Sequence, residues 1–164
     1  MQVHPMIVHL PLGLWLTTPL VYTAAAWTKS AERAAQYATV GTVNLVLGSV
    51  AAIFALVTGL VAATSLPVVG LAQGTLTRHV AWALLTTLLF VAVTLLRAVG
   101  RPFSARPGAA LLAAVWLSCA ALLLTGYYGG HNVYFYGLGV DLEHANERAL
   151  HRPPVVRELP PALP

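Results

Sequence analysis

Long apolar runs separated by short polar connections dominate the chain. Four can be read in order, about Pro5 to Trp27, Gln36 to Thr64, His79 to Val99 and Ala109 to Tyr128. Each is long enough to cross a hydrocarbon core that takes roughly 20 helical residues. The pattern predicts an all-α protein, an integral membrane four-helix bundle over residues 1–140 with helices at about 5–27, 36–64, 79–99 and 109–128. In the first run Pro5 suits an opening helical position with His4 flanking it, whereas Pro11 and Pro19 each remove a backbone donor and predict a kink. The second run carries Asn44 and the small residues Gly41, Gly48, Ala52 and Ala55, which read as close-packing positions. The third opens with Arg78-His79, and the fourth ends in Tyr127-Tyr128-Gly129-Gly130-His131, aromatics for an interface and glycines for a helix end. Helices one and three both begin with histidine, a faint echo of a duplicated hairpin.

The stretch Asn132 to Val140 is too short to span and reads as an extended segment folded over the bundle end. Residues 141–164 form an extramembrane unit. Its acidic-to-basic order from Asp141 to His151 suits a short surface helix, and Pro153-Pro154 and Pro160-Pro161 enforce an extended tail. The weakly charged segment from Arg152 to Pro164 cannot bury a core of its own and reads as an arm that docks on a neighbouring subunit.

Composition agrees with the pattern: 58% of residues are hydrophobic and 9% charged, with a mean hydropathy of +0.75, which removes a soluble domain from consideration. The net charge of +4 lies in connections between apolar runs, so it speaks to orientation and not to a nucleic-acid partner. Lys29, Arg33, Arg97, Arg101 and Arg106 flank the first and third connections, against chiefly Arg78 and Arg148 on the other side. The positive-inside bias then predicts a multi-pass protein with both termini and the histidine end outside the cytoplasm. No basic residue precedes Lys29 and three prolines interrupt the first run, so that run reads as a retained helix and not a signal peptide. Cys119, the single cysteine, can form no intrachain disulfide and no covalent haem attachment site.

The candidate chemistry is imidazole. With four crossings, His4, His9, His79 and His131 all fall towards one end of the bundle, from three helices, while His144 and His151 belong to the polar tail. At about 100° per residue His4 and His9 point roughly 140° apart, so they do not clamp one metal from one helix face. No acidic residue precedes Glu32, which argues against a zinc-protease helix, and no acid in the apolar runs orients a histidine for nucleophilic catalysis. Histidines on separate membrane helices are the usual means by which a bundle holds haem iron. The expected axial pair is His9 with His79, with His4 and His131 as a second pair or as outer donors; Arg78 is placed for a propionate and Trp82 for the porphyrin edge. A histidine-lined quinone pocket, or a copper or zinc site, fits the same spacing.

The pattern His4-Pro5-x-x-Val8-His9-x-Pro11, the histidine opening the third span, and Gly129-Gly130-x-x-Val133-Tyr134-x-Tyr136-Gly137-x-Gly139-Val140 resemble an uncharacterised bacterial family of four-helix membrane domains, from about residue 4 to 140. Members of that family are similar to b-type cytochrome membrane domains, and some occur with c-type cytochromes or with sugar dehydrogenases that use pyrroloquinoline quinone. The resemblance implies membrane electron transfer. Some members carry histidine where this chain has Tyr136, and His131 is the substitute this sequence offers.

The function expected is a membrane-embedded electron-transfer subunit with one or two haems b, exchanging electrons with quinone or a c-type cytochrome. It would serve a respiratory or photosynthetic oxidoreductase complex and not act as a stand-alone enzyme. Its partners would be the lipid bilayer and other membrane subunits. The alternative is a non-catalytic structural subunit of a larger membrane complex, which the small size and the lack of an acid/base pair allow equally.

Overall fold

The computed structural model describes residues 3–65, 68, 70–100 and 102–140. Among these, every regular element is a helix: α1 (Val3–Ile7), α2 (His9–Trp27), α3 (Ala31–Ser65), α4 (Leu71–Gly100) and α5 (Ala109–Tyr134). The surface helix and proline-rich arm expected after Val140, with His144, Arg148 and His151, lie outside the described residues. α1 and α2 form one interrupted span, so four helical segments are long and apolar enough to cross a membrane: Val3–Trp27, Ala31–Ser65, Leu71–Val99 and Ala109–Tyr134.

The interruption falls at Val8 for a local reason. Pro11 has no N–H to give the carbonyl of Ile7, while the bonds on either side, Val8 N to His4 O and Leu12 N to Val8 O, persist at 3.2 Å. The predicted bend is therefore a break one turn before Pro11, and α2 then runs unbroken through Pro19. At a rise of about 1.5 Å per residue, α3 is roughly 52 Å long, well beyond a core of about 30 Å. Its first turns, with Glu32 and Arg33 exposed, project past the hydrocarbon.

α2 packs along α3 and α4 along α5, and these two hairpins meet through α3 against α4 and α2 against α5. The order around the bundle is thus α2, α3, α4, α5, with α2 and α4 facing each other across the centre. Trp15 of α2 and Phe90 of α4 stack there, ring centroids 4.1 Å apart and 8° from parallel. Gly48 of α3 makes room for this stack: a Cβ at that position would lie 2.6 Å from Cδ1 and Nε1 of Trp15. Gly41, about two turns earlier, does the same for Tyr22. Gly41, Gly48, Ala52 and Ala55 are all buried, as close-packing positions should be. The outward faces carry Phe54, Leu88, Leu117 and Leu123, each more than half exposed, the composition of a lipid-facing surface.

The hairpins repeat one another. His4, Trp15 and Tyr22 on the first correspond to His79, Phe90 and Arg97 on the second, each 75 positions on, the step from His4 to His79. Buried Leu45, Gly48, Ser49 and Ala52 of α3 likewise match buried Val115, Ser118, Cys119 and Leu122 of α5, 70 positions on. Any helix in a bundle buries residues at such intervals, so spacing alone would prove little. The contacts say more: Trp15 stacks on its own counterpart Phe90, and Arg97 lies 5.9 Å from the ring centroid of its counterpart Tyr22. Equivalent residues that touch one another mark a two-fold axis, here running along the bundle. The faint echo of a duplicated hairpin in the histidine positions is the organising symmetry of the core.

Three expectations differ from the structure. The third helix begins at Leu71, two turns before His79, because Leu71 to Arg78 contains no proline and its polar residues tolerate helix as readily as loop. The fourth continues to Tyr134, so His131 is helical and only Phe135 to Val140 forms turns, with Gly137 and Gly139 at positive φ. Arg97, read as a flanking charge, is turned inward and only 4% exposed.

Candidate cofactor site

His4 of α1 and His79 of α4 are the histidines that the symmetry relates, and their local environments match. The Nδ1 of His4 donates to the carbonyl of Ala55 at 2.9 Å, with Thr58 Oγ1 at 3.4 Å. The Nδ1 of His79 donates to the carbonyl of Thr125 at 3.0 Å. In both cases a glycine follows the accepting residue by one helical turn, and the imidazole lies in the notch it leaves. A Cβ on Gly59 would come within 2.7 Å of His4 Cε1, and one on Gly129 within 3.0 Å of His79 Cε1.

This arrangement fixes the chemistry of the rings. A carbonyl oxygen only accepts, so Nδ1 carries the proton of each neutral imidazole and Nε2 keeps its lone pair. A carbonyl partner on the remote nitrogen is also how metal-bound histidines are oriented. His4 stands on α1 and His79 on α4, towards the same end of the bundle. Each imidazole is half-buried, with one nitrogen anchored and, among the described residues, no hydrogen-bond partner on the other.

The other candidates are arranged differently. His9, expected to face His79, is exposed on the first turn of α2; the break at Val8 does not restore it to the face that His4 uses. His131 is half-buried in an aromatic cluster of its own, stacked on Phe135 at 4.8 Å and near Tyr127 and Tyr136 at 5.9 and 5.4 Å. Arg78 is exposed and Trp82 half-buried. Among the described residues no cluster of three or more His, Cys, Asp or Glu converges. That is too few for a closed tetrahedral zinc site.

Asn132 was not singled out by sequence, yet it belongs to this end. It stands on the α5 face that carries Thr125 and Gly129, is 4% exposed, and among the described residues its Oδ1 has no hydrogen-bond partner. Buried acceptors are rarely left unpaired unless water or a bound group completes them. Polar burial of this kind has no periodic signature, and only the Gly-Gly-His-Asn context flagged the neighbourhood.

Arg97, also missed, anchors the opposite end. Its Nε donates to Thr42 Oγ1 at 3.2 Å, and its Nη2 donates to the carbonyls of Phe103 at 2.8 Å and Ala105 at 2.6 Å. Tyr22 Oη shares Thr42 Oγ1 at 2.9 Å. One guanidinium thereby ties α2, α3 and α4 to the connection leading into α5.

No curated protein and no solved structure matches the chain. A family model described as a predicted membrane protein, DUF2231, matches residues 1–142, which takes in the whole bundle and both anchored histidines. The chain belongs to this DUF2231 family of membrane proteins.

Proposed function

We propose that this protein is a haem b electron-transfer subunit in which His4 and His79 would hold the haem iron. One observation carries the reading: two imidazoles related by the bundle's two-fold axis, each with Nδ1 given to a backbone carbonyl beside a glycine notch, so that each offers Nε2. The residues fit the group. Nitrogen ligands suit haem iron, and neutral imidazoles place no net charge in lipid. When bound, the haem supplies one-electron redox chemistry. The protein's own residues would orient the ligands through the carbonyls of Ala55 and Thr125, and Asn132 Oδ1 is left to accept a hydrogen bond from a bound group or water.

This pairing replaces the His9–His79 pair expected from sequence, since His9 is exposed and His4 is the anchored ring. His131 lies within its aromatic cluster, and among the described residues no comparable pair is left for a second haem. Quinone or a c-type cytochrome remains the proposed exchange partner at this end, in keeping with the family resemblance. With Lys29, Arg33 and Arg106 exposed at the far end and Arg78 at this one, the positive-inside bias puts the histidine end on the periplasmic side of a bacterial inner membrane.

The test is a reduced-minus-oxidised visible spectrum of the purified protein. A haem b spectrum is expected, absent or strongly shifted in His4→Ala and in His79→Ala but retained in His9→Ala. A colourless protein produced with ample haem would sink the reading and favour the structural-subunit alternative.

A further inference from the structure

The end of the bundle remote from the histidines carries a second set of unmet valences. Arg97 is almost fully buried, yet its guanidinium is met only by hydroxyl and carbonyl oxygens, and among the described residues Nη1 has no hydrogen-bond partner. Glu32, exposed at the start of α3, is the only acid among the described residues, so none of these sets a carboxylate against this cation. A buried charge without a counter-charge is costly and calls for an anion or a dense shell of dipoles.

Beside Arg97 an open pocket of about 360 Å³ lies between α4 and α5. Its walls are Val93, Leu96, Leu111 and Ala114, and its mouth holds Arg97 and Arg106 together with the Pro107-Gly108 turn. Arg106 is exposed and spends one donor on the carbonyl of Ala26 at 3.2 Å, which leaves most of its fork free. The pocket therefore has two guanidiniums at the polar end and aliphatic walls running from them towards the lipid-facing side of both helices. Charge at the boundary and hydrocarbon beneath is the complement of an anionic amphiphile, and basic pockets between membrane helices are known seats for acidic lipid headgroups.

We infer that the Arg97–Arg106 pocket binds one anionic phospholipid, its phosphate at the two guanidiniums and an acyl chain along the α4–α5 groove. A free phosphate would meet the same guanidiniums but leave the apolar walls in contact with solvent, so the lipid is the occupant the site describes. The site is independent of the haem reading, lying at the other end of the bundle.

Native mass spectrometry of the whole protein in a non-ionic detergent tests this, with phosphatidylglycerol and phosphatidylcholine of identical chains as probes and inorganic phosphate as a third arm. One phosphatidylglycerol should be retained in clear preference to phosphatidylcholine. Arg106→Gln should weaken it about fivefold, and Ala110→Phe, which fills the pocket without touching a charge, should displace it. These two variants avoid Arg97, whose removal would also untie the connection. Equal retention of both lipids, unchanged binding in both variants, or binding of inorganic phosphate that displaces the lipid would each overturn the inference.

Discussion

Gly59 and Gly129 decide how the histidines are held. Replacing Gly59 with alanine puts a methyl 2.7 Å from His4 Cε1 and 3.0 Å from its Nδ1, closer than such atoms pack, so the ring must leave its carbonyl. At Gly129 the corresponding distances are 3.0 and 3.2 Å, which a small ring shift relieves. If the imidazoles bind iron, Gly59→Ala should lower haem retention roughly tenfold, the usual scale for losing an orienting partner. Gly129→Ala should lower it less. Haem-to-protein ratios after purification read both, and equal, full retention would mean that the notches serve packing alone. At this scale the sequence was a partial guide. His4 and His79 stand out as imidazoles in apolar runs, but which of His4 and His9 faces the axis depends on a break set by Pro11, and a proline marks a disturbance without fixing the rotation that follows it. Arg97 was misread because charge near a span end ordinarily faces water; its inward turn is specified by the carbonyls of Phe103 and Ala105, and acceptors in a loop leave no trace in composition.

Between elements, the close approach of α3 to α2 rests on two absent side chains. Gly48→Ala would drive a methyl into the indole of Trp15, which is already stacked on Phe90 and has no free rotamer volume behind it. Such overpacking costs about 1–3 kcal/mol. It should appear as a lower unfolding temperature in detergent. Gly13→Ala, with nothing within 4 Å of its Cβ, serves as the control and should leave the transition in place. The four spans were legible because a run of apolar residues long enough to cross lipid is a strong signal. Their ends were not: Leu71 to Arg78 and Gly129 to Tyr134 are polar or glycine-rich, yet they continue as helix. The duplication lay in the spacing from His4 to Trp15 and from His79 to Phe90 and in the return of Gly59 as Gly129, but few of the other core residues are the same in both halves. Its other members, Trp15 with Phe90 and Tyr22 with Arg97, are recognisable as equivalents only once they are seen to touch.

For the molecule as a whole, the two ends differ in kind. One gathers the anchored imidazoles, and the other gathers Lys29, Arg33 and Arg106 on its surface with Arg97 inside. Burial removes Arg97 from the charges that steer insertion, but the exposed cations of that end still outnumber Arg78 at the other. A reporter active only in the cytoplasm should therefore be silent when fused after Val140 and active when inserted at Ser104, in the exposed connection between α4 and α5. The reverse result would invert the orientation.

The two-fold core also bears on what the chain's continuity is for. Each hairpin closes on itself, with α2 along α3 and α4 along α5, and the only covalent link between them is the short stretch between Ser65 and Leu71. Neither half has a finished interior, since Trp15 lacks its stacking partner without Phe90. Two separately translated polypeptides, cut within that stretch, should then find each other in the bilayer and co-purify, as fragments do when insertion and lateral assembly are separate events. Each fragment would bring one imidazole, so colour in the reassembled pair and in neither piece alone would make the pigment a gauge of heterodimer formation.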